Sequence, residues 1–229
     1  MNRLTTLALA AAAALLATAA QAAVTFNFTP GSDTAGTGYS PTAGYTVVND
    51  FNQASDLNAI TSGNDYSLQG PGSTTTGADP AFPSNDGTTY LSVEAGGVAN
   101  VDFAKTFNGS FQFDWGSIDD YNTLTIHTTT GDVVYVPGSG SFANPANGDQ
   151  FSGLTNGVFT IFGSGITGFS LSSSKNSFEI DNFAVLSTGT NPLGGGVPEP
   201  ATWAMMIIGF GGIGALLRRR RALALVAAA

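Results

Sequence analysis

Between about residue 24 and residue 186 the chain alternates apolar and polar positions in short runs separated by turn-forming residues. Such period-two runs put one face of an extended segment toward a core and the other away from it. They predict strands over 24–28, 45–51, 88–94, 98–103, 110–115, 123–127, 132–136, 157–162, 166–171 and 177–186. Phe111, Phe113 and Trp115 share one face, with Gln112 and Asp114 on the other, and Leu124 and Ile126 alternate with Thr123, Thr125 and His127. In the last run the apolar parity changes at Asp181-Asn182, which predicts a bulge or bend there. Residues 31–44, 62–87 and 138–156 are rich in Gly, Ser, Thr, Asn and Pro and read as loops. No stretch in this region carries helical amphipathicity over twelve residues. Ten or so short strands in one domain predict an all-β fold, an antiparallel β-sandwich of jelly-roll-like topology.

The two ends break the pattern. At the N-terminus Arg3 precedes an apolar run, Leu4 to Ala19, and Ala20-Gln21-Ala22 forms a small-residue cleavage site. That is the layout of a signal peptide over 1–22, with a mature start at Ala23. At the C-terminus seventeen uncharged residues, Ala201 to Leu217, lead into Arg218, Arg219, Arg220 and Arg221. Seventeen helical residues span about 25 Å, the short end of what a bilayer core requires. The arginines hold that end in the cytoplasm, and Trp203 sits where an interfacial aromatic is expected. The expected organisation is therefore a signal peptide (1–22), a β-sandwich domain (23–196), a membrane-directed segment with one transmembrane helix (197–221) and a short cytoplasmic tail (222–229).

The segment Pro198-Glu199-Pro200-Ala201-x-Trp203-Ala204-Met205-Met206-Ile207-x-Gly209-Phe210-Gly211, closed by the four arginines, resembles the PEP-CTERM sorting signal in its PEPxA form. The resemblance covers about a tenth of the chain. It implies recognition by an exosortase, a membrane-embedded, cysteine transpeptidase-like enzyme, with Pro198, Glu199 and Pro200 as the processing motif and Arg218 to Arg221 setting topology. It also implies export across the inner membrane of a Gram-negative bacterium that makes exopolysaccharide, with the body at the cell surface or outside it. The run Ala222 to Ala229 after the arginines is longer than such signals usually carry.

Charge narrows the partners of the body. Fifteen carboxylates face only Lys105 and Lys175, a net charge of −13. Such a surface excludes nucleic acid as a partner and favours divalent cations. The absence of cysteine excludes disulfides, thiolate metal sites and a cysteine nucleophile. No phosphate loop, dinucleotide fingerprint or histidine metal motif is present.

Candidate chemistry gathers in Phe113-Asp114-Trp115-Gly116-Ser117-Ile118-Asp119-Asp120-Tyr121-Asn122-Thr123-Leu124, between two strand candidates. Its W-G-S-x-D-x-Y-N-x-L pattern resembles a segment of exosortase-dependent surface proteins, which brings no biochemical activity with it. The plain reading is structural: Gly116 permits a turn, the aspartates make local turn bonds, and Trp115 and Leu124 point inward. Two functional readings stand beside it. Asp114, Asp119, Asp120 and Asp181 are candidate oxygen ligands for calcium, the one cofactor considered. Trp115 and Tyr121, with Tyr90, are candidate platforms for a sugar ring. Glu179 and Asp181 lie on one face of a strand, as a carboxylate pair would, and His127 is the only histidine, expected to face solvent with the threonines. The leading expectation is a non-enzymatic surface or matrix protein with a structural and adhesive role beside extracellular polysaccharide. The alternatives are a carbohydrate-binding module, with or without calcium, and a polysaccharide-active enzyme using Glu94 or Glu179 as acid/base. N-terminal sequencing of the exported protein should begin at Ala23; a first residue of Met1 would show that the leader is retained.

Overall fold

The computed structural model describes residues 24–31, 41–80, 87–139, 146–186 and 191–193. The expected signal peptide, Pro198-Glu199-Pro200, the transmembrane helix and Arg218 to Arg221 lie outside these residues. Among the described residues no helix is long and apolar enough to cross a membrane.

Among the described residues eight strands form: β1 (Thr25–Pro30), β2 (Tyr45–Asn49), β3 (Ser62–Gln69), β4 (Tyr90–Gly116), β5 (Asn122–Thr128), β6 (Gly131–Tyr135), β7 (Gly157–Ser173) and β8 (Phe178–Leu186). A short 3-10 helix, Ala54–Ala59, joins β2 to β3. Every strand pairing is antiparallel. Three runs expected as separate strands, 88–94, 98–103 and 110–115, are continuous in β4, and 157–162 joins 166–171 in β7. β3 corrects the expectation of a loop over 62–87. Its sequence SGNDYSLQ lacks a clear apolar face because it is held at a sheet edge by backbone pairing to β4.

The ladders resolve into two layers. One runs β1, the first half of β7, the second half of β4, β8, β2; the other runs β3, the first half of β4, the second half of β7, β5, β6; the start of β8 (Phe178–Ile180) also pairs with the start of β4 (Leu91–Val93) and joins the two. β4 and β7 stay paired through both layers, and their register shifts between Asp102 and Gly109, where the pair bends. Gly109 (φ 152°) and Gly165 (φ 69°) supply backbone conformations that the bend requires and that side-chain-bearing residues avoid. The last strand, β8, returns beside β2 and closes a jelly-roll-like sandwich, as the alternation predicts.

The bend brings aromatic side chains face to face. Phe111 of one layer lies 5.7 Å from Phe169 of the other, and Phe103 meets both in edge-on contacts. Trp115 stacks on Phe178 at 4.2 Å with an interplanar angle of 7°. Phe111, Phe113, Trp115, Leu124 and Ile126 are all fully buried, so the predicted inward face is the core face. Offset and edge-on pairs add about 0.5–1.5 kcal/mol each beyond their buried area. The parity change in β8 is a bulge. Gln112 pairs with Ala184 but Asp114 with Asp181, and Asn182 takes a φ of 53°.

Gly116 has a role other than the expected turn. It ends β4, and the left-handed conformation falls on Ser117 (φ 38°) instead. What Gly116 permits is close approach: a Cβ there would lie 2.6 Å from Pro80 Cα in the connector between β3 and β4. Gly116→Ala should therefore cost about 1–3 kcal/mol through overpacking. The urea unfolding midpoint of the variant measures this, and an unchanged midpoint would show that the connector does not press on β4.

Candidate functional site

Four connectors meet at one end of the sandwich: β3–β4, β4–β5, β6–β7 and β7–β8. Their arrangement is held by buried amides. Asn122, at 0% exposure, donates from Nδ2 to Ser173 Oγ (3.0 Å) and to Ser177 O (2.9 Å), and its Oδ1 accepts from Asp119 N (3.1 Å). Asn156 Oδ1 accepts from Ser117 N at 2.7 Å. Ile118 N donates to Thr155 O and Gly148 N to Ile118 O. Burial of Trp115 and Ile118 anchors both sides of Ser117. The alternating residues Ser117, Asp119 and Tyr121 consequently line a cavity of about 160 Å³, together with Gln150, Asn176 and Glu179.

Glu179 forms the floor. It points away from the core face of β8 and is nevertheless only 2% exposed. Its carboxylate accepts from Ser117 Oγ (2.9 Å), Ala78 N (3.2 Å) and Ser177 Oγ. Burial pushes the Glu179 carboxyl up to about 7; the three donors oppose that shift, and the nearby Asp119 charge adds to it. Burial also raises Asp119, against the Tyr121 hydroxyl that hydrogen-bonds it. Tyr121 is raised in turn, first by burial and then by that hydrogen bond. Its hydroxyl reaches Asn176 O at 2.7 Å, and Lys175 Nζ lies 5.2 Å from the centre of its ring. At neutral pH the Glu179 carboxyl can thus both donate and accept hydrogen bonds, beside the Asp119 carboxyl, a ring edge and several amides.

The residues singled out from the sequence separate here. Tyr121 and Asp119 line the cavity, and Asp120 is exposed beside it. Trp115 is a correction: at 0% exposure and stacked on Phe178 it presents no face to a sugar. Tyr90 is equally buried. Asp114 and Asp181 are cross-strand partners, both fully buried, with Asn182 Nδ2 donating to Asp114 Oδ2 at 3.2 Å. Among the described residues no three histidine or acidic side chains are grouped to hold a metal ion, so the four aspartates do not converge on one site. Glu94 accepts from Ser67 and Gln69 on β3.

His127 is half-buried rather than simply solvent-facing. Its Nδ1 lies 2.9 Å from Asp132 Oδ1 and its Nε2 2.6 Å from Ser170 Oγ, which donates to Asn100 Oδ1. This order resembles a hydrolytic relay, but Ser170 sits within a strand paired on both sides, so its neighbouring amides serve the ladders instead of an oxyanion.

With the body so arranged, the C-terminal segment is decided by comparison. Residues 196–221 match the family model described as the PEP-CTERM protein-sorting motif. The chain carries a PEP-CTERM sorting signal. That signal implies exosortase-dependent export. No curated protein matches the chain. Similar solved structures include the C-terminal CBM6 of LamC, a marine laminarinase from Zobellia galactanivorans (14% identity, 57% of this chain and 94% of that chain, TM-score 0.32). Another is a family 6 carbohydrate-binding module (16%, 54% and 85%, TM-score 0.29). A third is CBM6cm-2 from Cellvibrio mixtus lichenase 5A in complex with cellotriose (10%, 56% and 91%, TM-score 0.29).

Sequence reading passed over Gln150, in the β6–β7 connector, and Ser177 with the floor position of Glu179, at the entry to β8. The one available signal was the Asn147-Gly148-Asp149 turn, a pattern shared by many plain loops. A pH effect on stability follows from Glu179. The folded state holds its proton more tightly than the unfolded chain does. This stabilisation is fully present below about 4.5 and lost as pH rises through about 7, at most about 3 kcal/mol. Urea unfolding at pH 5 and pH 8 should show that loss in the wild type and a smaller one in Glu179→Gln. Equal losses in both proteins would exclude Glu179 as the group responsible.

Proposed function

We propose that this chain is an exported, exosortase-processed protein of the cell surface or extracellular matrix of a Gram-negative bacterium, with a structural and adhesive role beside exopolysaccharide. The observation that carries the reading is the PEP-CTERM motif at 196–221, placed directly behind a folded β-sandwich. The apolar run 201–217 and the four arginines after it suit a temporary membrane anchor. The apolar run 4–19 suits the export that would put the body on the other side. A body of net charge −13 stays soluble and repels other acidic chains at low salt, so adhesion rests on local contacts rather than on long-range attraction. The proposed role is non-enzymatic, a reading supported by the place of Ser170 in a strand paired on both sides and by the three donors that hold the Glu179 carboxylate.

A second reading, carbohydrate recognition, is favoured by the cavity at the loop end. Its lining of hydroxyl, amide and carboxyl groups beside Tyr121 suits a polyhydroxylated ligand. Calcium dependence of this recognition draws no support from Asp114 and Asp181, which lie beneath the sheet surface.

Processing is tested with intact mass in a host that has an exosortase. The wild type should lose the residues after the Pro-Glu-Pro motif, and Pro198→Ala/Pro200→Ala should keep them. Full-length mass for the wild type in such a host would overturn the processing step.

A further inference from the structure

The next inference rests on the carbohydrate reading of the loop-end cavity. We propose that this cavity is one half of a two-part site for an uncharged sugar chain: the Glu179 cavity takes a single ring, and the exposed Phe151 side chain packs against the ring next to it.

Size and chemistry define the first half. A cavity of about 160 Å³ suits a single sugar ring rather than a length of polymer. Its acidic groups, Glu179 and Asp119, are both buried, and the nearest ammonium, Lys175, lies over the Tyr121 ring. A uronate, sulfate or phosphate group entering here would lose its water against two carboxyls. Neutral hydroxyls meet no such cost, because they donate to the carboxylates and accept from the amide of Gln150.

Phe151 supplies the second half. It is 85% exposed, more than any other large apolar side chain among the described residues, and Leu154 in the same turn is 54% exposed. Phe151 directly follows Gln150, and Gly148 and Gln150 both line the cavity. The turn that presents it is built, not loose. Phe151 N donates to Asp149 Oδ1 (2.9 Å), and Asp149 O accepts from Thr155 Oγ1 and from Asn156 Nδ2. The same Asn156 side chain holds Ser117 N on the cavity wall. One buried amide therefore fixes the aromatic platform relative to the pocket. Polar groups orient a ligand while an apolar face supplies buried area, and the exposed Phe151 is the next residue after the cavity-lining Gln150.

Polysaccharide retardation followed by calorimetry tests this on the exported, processed protein. Neutral glucan, xylan and galactan are compared with a polyuronate, each also in about 1 M salt, where the Debye length is about 3 Å and the overall charge of the body is screened. The expected result is retention by a neutral polymer and none by the polyuronate, even at high salt. The trisaccharide of the retained polymer should bind about ten-fold more tightly than its monosaccharide. Phe151→Ala should reduce the trisaccharide to monosaccharide affinity without moving the urea midpoint, and Gln150→Ala should weaken both ligands. Polyuronate retention in high salt, or trisaccharide affinity unchanged in Phe151→Ala, would overturn the two-part site and leave the carbohydrate reading standing. Absence of retention by every polymer would overturn both.

Discussion

The β4–β7 ladder is the constraint on which the rest of this protein depends. Two strands that remain paired while crossing from one layer to the other must bend together. The bend folds Phe103, Phe111 and Phe169 into one contact. No disulfide is available to hold the layers, since the chain has no cysteine. Burial of aromatic area between them does that work, and it is the one force large enough for a domain of this size.

The loop end inherits its geometry from that core. Trp115 lies at the end of β4, stacked on Phe178 at the start of β8, so the segments leaving both strands begin from fixed positions. Asn122 and Asn156 then use buried amides to tie neighbouring connectors together. Each satisfies backbone groups that would otherwise be buried without partners. The result is a polar cavity on a rigid frame. Its floor, Glu179, is desolvated enough to titrate near neutrality and bonded enough to remain in place.

Much of the sandwich was legible in the residues. Phe111-x-Phe113-x-Trp115 and Leu124-x-Ile126 alternate because one face meets a core, and that face is the buried one. The Asp181-Asn182 parity change marked a bulge for the same reason. β3 was not legible, because an edge strand secured by backbone pairing needs no apolar alternation. The site was only partly legible. Ser117, Asp119 and Tyr121 stand in one segment, whereas Gln150 and Glu179 reach the same cavity from elsewhere. Trp115 illustrates the limit of reading aromatics. The same indole serves a core or a ligand, and only its neighbours decide between them.

By itself the sequence determined the address and the class of fold. A sorting signal is read as a linear string by membrane and enzyme, and strand periodicity is a local property of successive side chains. Tertiary structure alone decided which polar groups came together around one cavity. Glu179 is an ordinary carboxylate on an ordinary strand until Ala78, Ser117 and Ser177 close over it. Gln150 is an ordinary loop residue until Asn156 ties its turn to the Ser117 segment on the cavity wall. Both depend on contacts between segments distant in sequence, and no local pattern encodes those.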